Sequence, residues 1–196
     1  MGFLYSPKGF AMFIQTEATP NPATLKFLPG KPVLPGTTRD YRTADEAAES
    51  PLAERLFSIK GVSGVFLGQD FVTVTKKDGE WQHLKPAILG LIMEHYLADA
   101  PVLTKPATGD LPTNEDFDET DQEIVTTIKE LLETRVRPAV AQDGGDITFQ
   151  GYHDGVVFLN MKGSCSGCPS STATLKHGIE NLLRHFIPEV TEVRPV

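Results

Sequence analysis

The sequence predicts an α+β protein of two small domains joined by an acidic, flexible linker, and three observations carry that prediction. Short β-rich runs and amphipathic helical periods occur in both halves of the 196-residue chain. A stretch with three prolines and only acidic charges at its centre separates them. The second half orders as helix, strand, strand, cysteine pair, helix, strand, which suits helices packed on one face of a short sheet. The expected division is an extension over residues 1–12, a domain over 13–100, a linker over 101–119 and a second domain over 120–196.

In the first domain, residues 13–16 and 25–28 read as short strands. Ala18-Thr19-Pro20-Asn21-Pro22 between them has to turn, because two prolines forbid regular pairing. Residues 29–36 are Pro- and Gly-rich loop. Ser50-Pro51 is an N-cap followed by a first-turn proline, opening a helix through Leu52, Leu56 and Phe57. Residues 62–67 and 71–75 form two β-rich runs joined at Gly68-Gln69-Asp70, a hairpin pattern. After a turn at Lys77-Asp78-Gly79, the residues Leu84, Ile88, Leu91, Ile92 and Tyr96 give a second helix with one apolar face. Trp81 is expected to anchor the start of that helix, and His83 and His95 to be surface or packing residues.

Pro101, Pro106 and Pro112 and the lack of an apolar period mark the linker. Thr120-Asp121-Gln122-Glu123 has the capping-box pattern before a helix carrying Ile124, Val125, Ile128, Leu131, Leu132 and Val136. Pro138 is expected to kink or break that helix near its end. Asp143-Gly144-Gly145-Asp146 reads as a helix-to-strand turn that uses glycine at positive φ, since two carboxylates alone make a poor cation site. Alternating runs over 147–152 and 156–161 turn at His153-Asp154-Gly155. A helix with Leu175, Ile179, Leu182, Leu183 and Phe186 follows, and residues 190–193 can add a last strand. His177 and His185 on that helix are expected on a solvated face.

The charge of −8 is uneven. Residues 1–105 carry eleven basic and eleven acidic side chains, residues 106–196 seven and fifteen. An acidic half argues against binding a nucleic-acid backbone, which relies on Lys and Arg. No run of eighteen apolar residues exists, so no membrane span is expected. The first twelve residues resemble neither a secretory signal nor an Arg-rich transit peptide, and Met12 is an alternative start. Two closely spaced cysteines point away from a secreted disulfide scaffold. The expectation is a cytoplasmic, bacterial protein, or one of the mitochondrial matrix if a presequence has been removed. No Ser–His–Asp set, phosphate-binding loop or dinucleotide fingerprint appears, and the protein is not expected to be an enzyme.

Cys165 and Cys168 are the chain's only cysteines, and Gly163 and Gly167 give their loop freedom to curl around a ligand. Pro169 and the period after it put Cys168 at or just before a helix N-terminus, which should lower its pKa. Four readings compete. The thiols could be small core residues. Structural zinc needs four ligands, and His153, His177 and His185 show no paired ligand spacing, which leaves zinc shared between two chains. A thiol–disulfide module also places a cysteine pair at a helix start, although it normally follows the first strand of a βαβ pattern rather than an antiparallel hairpin. An iron–sulfur cluster is held by four cysteine thiolates, so one chain brings two and either a second chain or non-protein thiols bring the rest.

Several blocks carry a family resemblance. Val136-Arg137-Pro138, Asp143-Gly144-Gly145-Asp146, the run from Lys162-Gly163-Ser164-Cys165 through Ser166-Gly167-Cys168-Pro169-Ser170-Ser171, and Thr174-Leu175-Lys176 resemble the C-terminal domain of the NifU family, the Nfu-type iron–sulfur scaffolds. Ala18-Thr19-Pro20-Asn21-Pro22 with Thr24-Leu25-Lys26-Phe27 resembles the N-terminal domain of one branch. The resemblance implies a scaffold or carrier that binds a 4Fe–4S cluster on a homodimer, with Cys165 and Cys168 of each chain as the ligands. It also implies upstream assembly proteins as donors and apo iron–sulfur enzymes as acceptors. The N-terminal domain is then left, by elimination, with partner recognition, and the linker with letting the cluster domain swing between donor and acceptor.

Overall fold

The computed structural model describes residues 12–105 and 115–196. The expected extension up to Ala11, and residues 106–114 at the centre of the expected linker, lie outside the described residues. Two α+β domains are seen, each with its own sheet and its own apolar core.

The N-terminal domain has a five-stranded antiparallel sheet in the order β1-β2-β5-β4-β3. Its strands are β1 (Gln15–Ala18), β2 (Thr24–Leu28), β3 (Arg39–Tyr41), β4 (Val62–Leu67) and β5 (Val72–Lys76). The first strand starts two residues later than the sequence suggests. Strand β3 was not expected, since three residues carry no period and owe their conformation to the edge of β4. Helix α1 (Pro51–Phe57) begins as anticipated, with the Ser50 hydroxyl accepting from Ala53 N at 3.2 Å. Helix α2 (Trp81–Leu97) starts on the indole as expected, its N–H donating to the Pro22 carbonyl at 3.1 Å. Phe27, Val65, Leu67, Val72 and Val74 from the sheet bury against Leu52, Leu56, Ile88 and Ile92 from the helices.

Strand side chains alternate between faces, so Lys26, Thr73 and Phe66 point away from those helices. They are nevertheless almost fully buried. The C-terminal domain covers them.

That second domain has a four-stranded sheet, β6-β7-β8-β9, built from β6 (Asp116–Phe117), β7 (Gly145–His153), β8 (Val156–Gly163) and β9 (Glu192–Pro195). β7 and β8 form the expected hairpin, turning on Asp154 and Gly155, both at positive φ, as a two-residue turn of this hand requires. The short β6 was not foreseen. β9 begins later than expected and pairs in parallel with β8. The segment from β8 through the cysteine loop and α5 (Pro169–Phe186) to β9 is therefore a βαβ crossover, where the sequence suggested only a hairpin context.

Two expectations at the preceding helix need correction. The capping box does not form: Thr120 lies in a 3₁₀ turn (Glu119–Asp121), and Asp121 caps α3 (Gln122–Leu131) without a side-chain hydrogen bond. The helix also does not end at Pro138. It widens into one π-helical turn (Leu132–Val136) and resumes as α4 (Arg137–Gln142). Pro138 thus falls in the first turn of the resumed segment, where its missing N–H is tolerated. Val125, Ile128, Leu132, Val140, Ile179 and Leu183 close the core over Ile147, Phe149, Val157 and Leu159.

Candidate cluster-binding site

The cysteine loop leaves β8 at Gly163 and enters α5 at Cys168, which is the helix N-cap, with Pro169 in the first turn as the sequence suggests. Gly163 and Gly167 both have positive φ. The loop is braced by its own hydroxyls. Ser166 N and Oγ donate to the Gly163 carbonyl at 3.1 and 2.9 Å. Thr172 Oγ1 donates to the Cys165 carbonyl at 3.0 Å, Ser171 Oγ to the Cys168 carbonyl at 3.2 Å, and Ser164 Oγ to the Asp143 carbonyl at 2.5 Å.

Both cysteines are free, but their surroundings differ sharply. Cys168 is partly exposed, and its Sγ lies 3.3 Å from Ser170 Oγ. Hydrogen bonds from Ser170 and Ser171 pull its thiol down to about 7. The lowering expected at a helix start is there, delivered chiefly by those two hydroxyls. Cys165 is 5% exposed and belongs to the domain core. Burial, reinforced by the nearby Asp143 and Asp146 carboxylates, pushes its thiol up to about 12. Its sulfur rests against Gly145, where a Cβ would stand 2.5 Å from Sγ. Any other residue at 145 would force the sulfur, or the Lys162 carbonyl 2.7 Å from the same Cβ, to move. Cys165 lines a cavity of about 360 Å³ with Asp143, Ser164, Ser171 and Leu175, and Cys168 a separate one of about 370 Å³ with Lys176.

The Asp143–Asp146 segment is the turn expected, with Gly144 at φ +82°. It does more than turn. Asp146, 4% exposed, accepts from Arg137 Nε at 2.8 Å and Nη2 at 2.9 Å, a bidentate pair that ties α4 to β7 beside the cysteine loop. The contributions of Gly145, Asp146 and Arg137 were missed, although the glycine doublet between two acids was the visible signal. Among the described residues no three His, Cys, Asp or Glu side chains converge as a metal-ligand group. His177 and His185 are exposed on α5, as expected. Arranged this way, the loop offers one thiol ready to act as thiolate at neutral pH and one held in reserve.

Comparison with known proteins defines the class. Residues 14–99 match the family model described as the scaffold protein Nfu/NifU N terminal, and residues 128–194 match the NifU-like domain. The chain belongs to the Nfu/NifU scaffold family. It is 51% identical over 187 residues to the human protein named "NFU1 iron-sulfur cluster scaffold homolog, mitochondrial", covering 94% of this chain and 72% of that one. A Drosophila erecta protein of the same name is 52% identical over 190 residues, covering 95% of this chain and 65% of that one. Among solved structures, a NifU-like protein from Saccharomyces cerevisiae aligns with a TM-score of 0.44 and 29% identity, over 48% of this chain and 86% of that one.

Proposed function

We propose that this protein is a non-enzymatic carrier of iron–sulfur clusters that holds a 4Fe–4S cluster between two chains and passes it to apo-proteins. Cys165 and Cys168 are the ligands in this reading. The observation that carries it is the ligand count: two free thiols on one short loop, and among the described residues no other group to complete a set of four. The family and the names of its relatives support the scaffold role. The cluster is cargo, and release suits a site that opens to solvent on its Cys168 side. Cys168 is ready to take iron first, and Cys165 follows once metal displaces its proton. The N-terminal domain serves partner recognition. Relatives are named as mitochondrial, and the chemistry itself asks only for a compartment reducing enough to keep both thiols free.

Anaerobic reconstitution with iron and sulfide tests the ligand assignment. Wild type should gain the brown absorbance of a cluster, and Cys165→Ala and Cys168→Ala should each remain colourless. A colourless wild type that turns over disulfides would favour a dithiol redox module instead. Full cluster occupancy in either variant would remove that cysteine from the site.

A further inference from the structure

The Ala18–Pro22 turn and the buried polar face of the N-terminal sheet have no part in cluster binding as described, yet both lie on the cysteine loop. Register places Glu17, Lys26, Thr73, Phe66 and Asp40 side by side, one from each strand, in a single row across the sheet. Four of the five reach the C-terminal domain at the segments flanking the cysteines. Lys26 Nζ donates to the Gln142 carbonyl at 3.0 Å, and Thr73 Oγ1 to the Gly144 carbonyl at 2.7 Å. Asp40 accepts from Gly163 N at 3.4 Å, and a Cβ at Gly163 would come within 3.0 Å of the Phe66 ring. Thr38 Oγ1 adds a bond to Asp146 at 2.9 Å. From the turn, Asn21 Nδ2 donates to the Ser166 carbonyl at 3.2 Å, between the two cysteines, while Pro20 lines the cavity beside Cys165.

Polar groups on an open sheet face would be left to water. Here Lys26 and Thr73 are 7% and 0% exposed and each finds a backbone carbonyl in the other domain. Buried polar groups with good partners specify one arrangement rather than merely tolerate it. The interface is also fitted to glycine: a side chain at Gly144 would stand 2.8 Å from Thr73 Oγ1.

We infer that the N-terminal domain is a cap that closes over the cysteine loop of its own chain and leaves when two chains share a cluster. This rests on the reading of Cys165 and Cys168 as ligands of a shared cluster. A second chain's loop has to approach Cys165 and Ser166 from solvent, and Pro20 and Asn21 hold that approach in the closed state. Apo protein is therefore capped, with Cys165 covered and Cys168 on the open side. Cap and second chain compete for one surface, and tethering within one chain favours the cap until cluster formation pulls the loops together.

The test uses the full apo chain with a wedge at the interface, Thr73→Lys, and a second that sets a carboxylate against Asp146, Thr38→Glu. Circular dichroism of both variants should keep the wild-type fold. Hydrogen exchange of residues 142–166 should be about tenfold faster in the variants than in wild type, within the usual range for coupled sites. Iron and sulfide should load faster by a similar factor, and small-angle scattering should show a larger radius of gyration for the variants. Equal exchange and equal radii in wild type and both variants would overturn the cap. Exchange reports on the cap without any cluster, so a chain that opens on wedging but takes up no iron refutes the carrier reading alone. One that loads normally while exchange does not move refutes the cap alone.

Discussion

Cys165 and Cys168 share a loop and titrate in opposite directions, because two serine hydroxyls surround one and the domain core surrounds the other. With a pKa of about 7, roughly half of Cys168 is thiolate at neutral pH, while Cys165 stays protonated. Alkylation of the apo chain followed by peptide mass spectrometry should label Cys168 first, with a rate that rises through about pH 7. Ser170→Ala should move that inflection upward. Equal labelling of both cysteines at pH 7 would contradict the burial of Cys165. His95 is a second residue whose environment decides its chemistry. It is fully buried on α2, its ring edge-on to that of Tyr96. Burial, then the charge of Arg55, lowers its pKa in the folded domain. The unfolded chain keeps a value near ~6.5 and so binds a proton the folded one refuses. Stability from this residue is complete above about pH 6.5 and falls as the pH drops below it. Thermal melts between pH 7.5 and 5 should show that decline for the N-terminal domain, and His95→Leu should flatten it.

At the scale of the element, the helices and hairpins rest on local chemistry that single substitutions can remove. Ser50→Ala loses both the cap on Ala53 N and the hydroxyl's bond to the Val102 carbonyl at 2.7 Å, and should cost about 1–2 kcal/mol in denaturant unfolding. Gly155→Ala puts a Cβ 2.6 Å from the Glu189 carbonyl oxygen at φ +78°, and should cost about 1–3 kcal/mol. Elements of this kind were legible in the sequence: Ser50-Pro51, the 62–75 hairpin, the Asp154-Gly155 turn and the start of α5 each announce themselves within a few residues. β3 and β6 did not, because two or three residues become a strand only beside a neighbour's edge. The π turn before Pro138 was hidden for a related reason, since nothing local distinguishes a widened turn from a broken helix. At the site, the spacing of Cys165 and Cys168 was visible, and so was a lowered thiol at the helix start. The burial of Cys165 against Gly145 was not, because the contact joins residues twenty positions apart across a sheet.

For the molecule as a whole, charge and ligand count matter more than any one contact. The acidic excess lies wholly beyond residue 105, in the half that carries the cysteines. On the proposed reading, two such halves would repel each other across a shared cluster unless the inorganic core held them, so loss of cluster should return the chains to monomers. The five-strand row that meets the cysteine loop could not have been anticipated from its residues, for a buried Lys26 or Thr73 on a sheet looks like any solvated position until the covering domain is in place. The most direct test of the central claim is native mass spectrometry of the reconstituted full chain, with iron and sulfide assayed on the same sample. The account predicts two chains carrying one cluster, about four irons and four sulfides per dimer, and monomers after chelation. A monomer holding a complete cluster on its own side chains would contradict it.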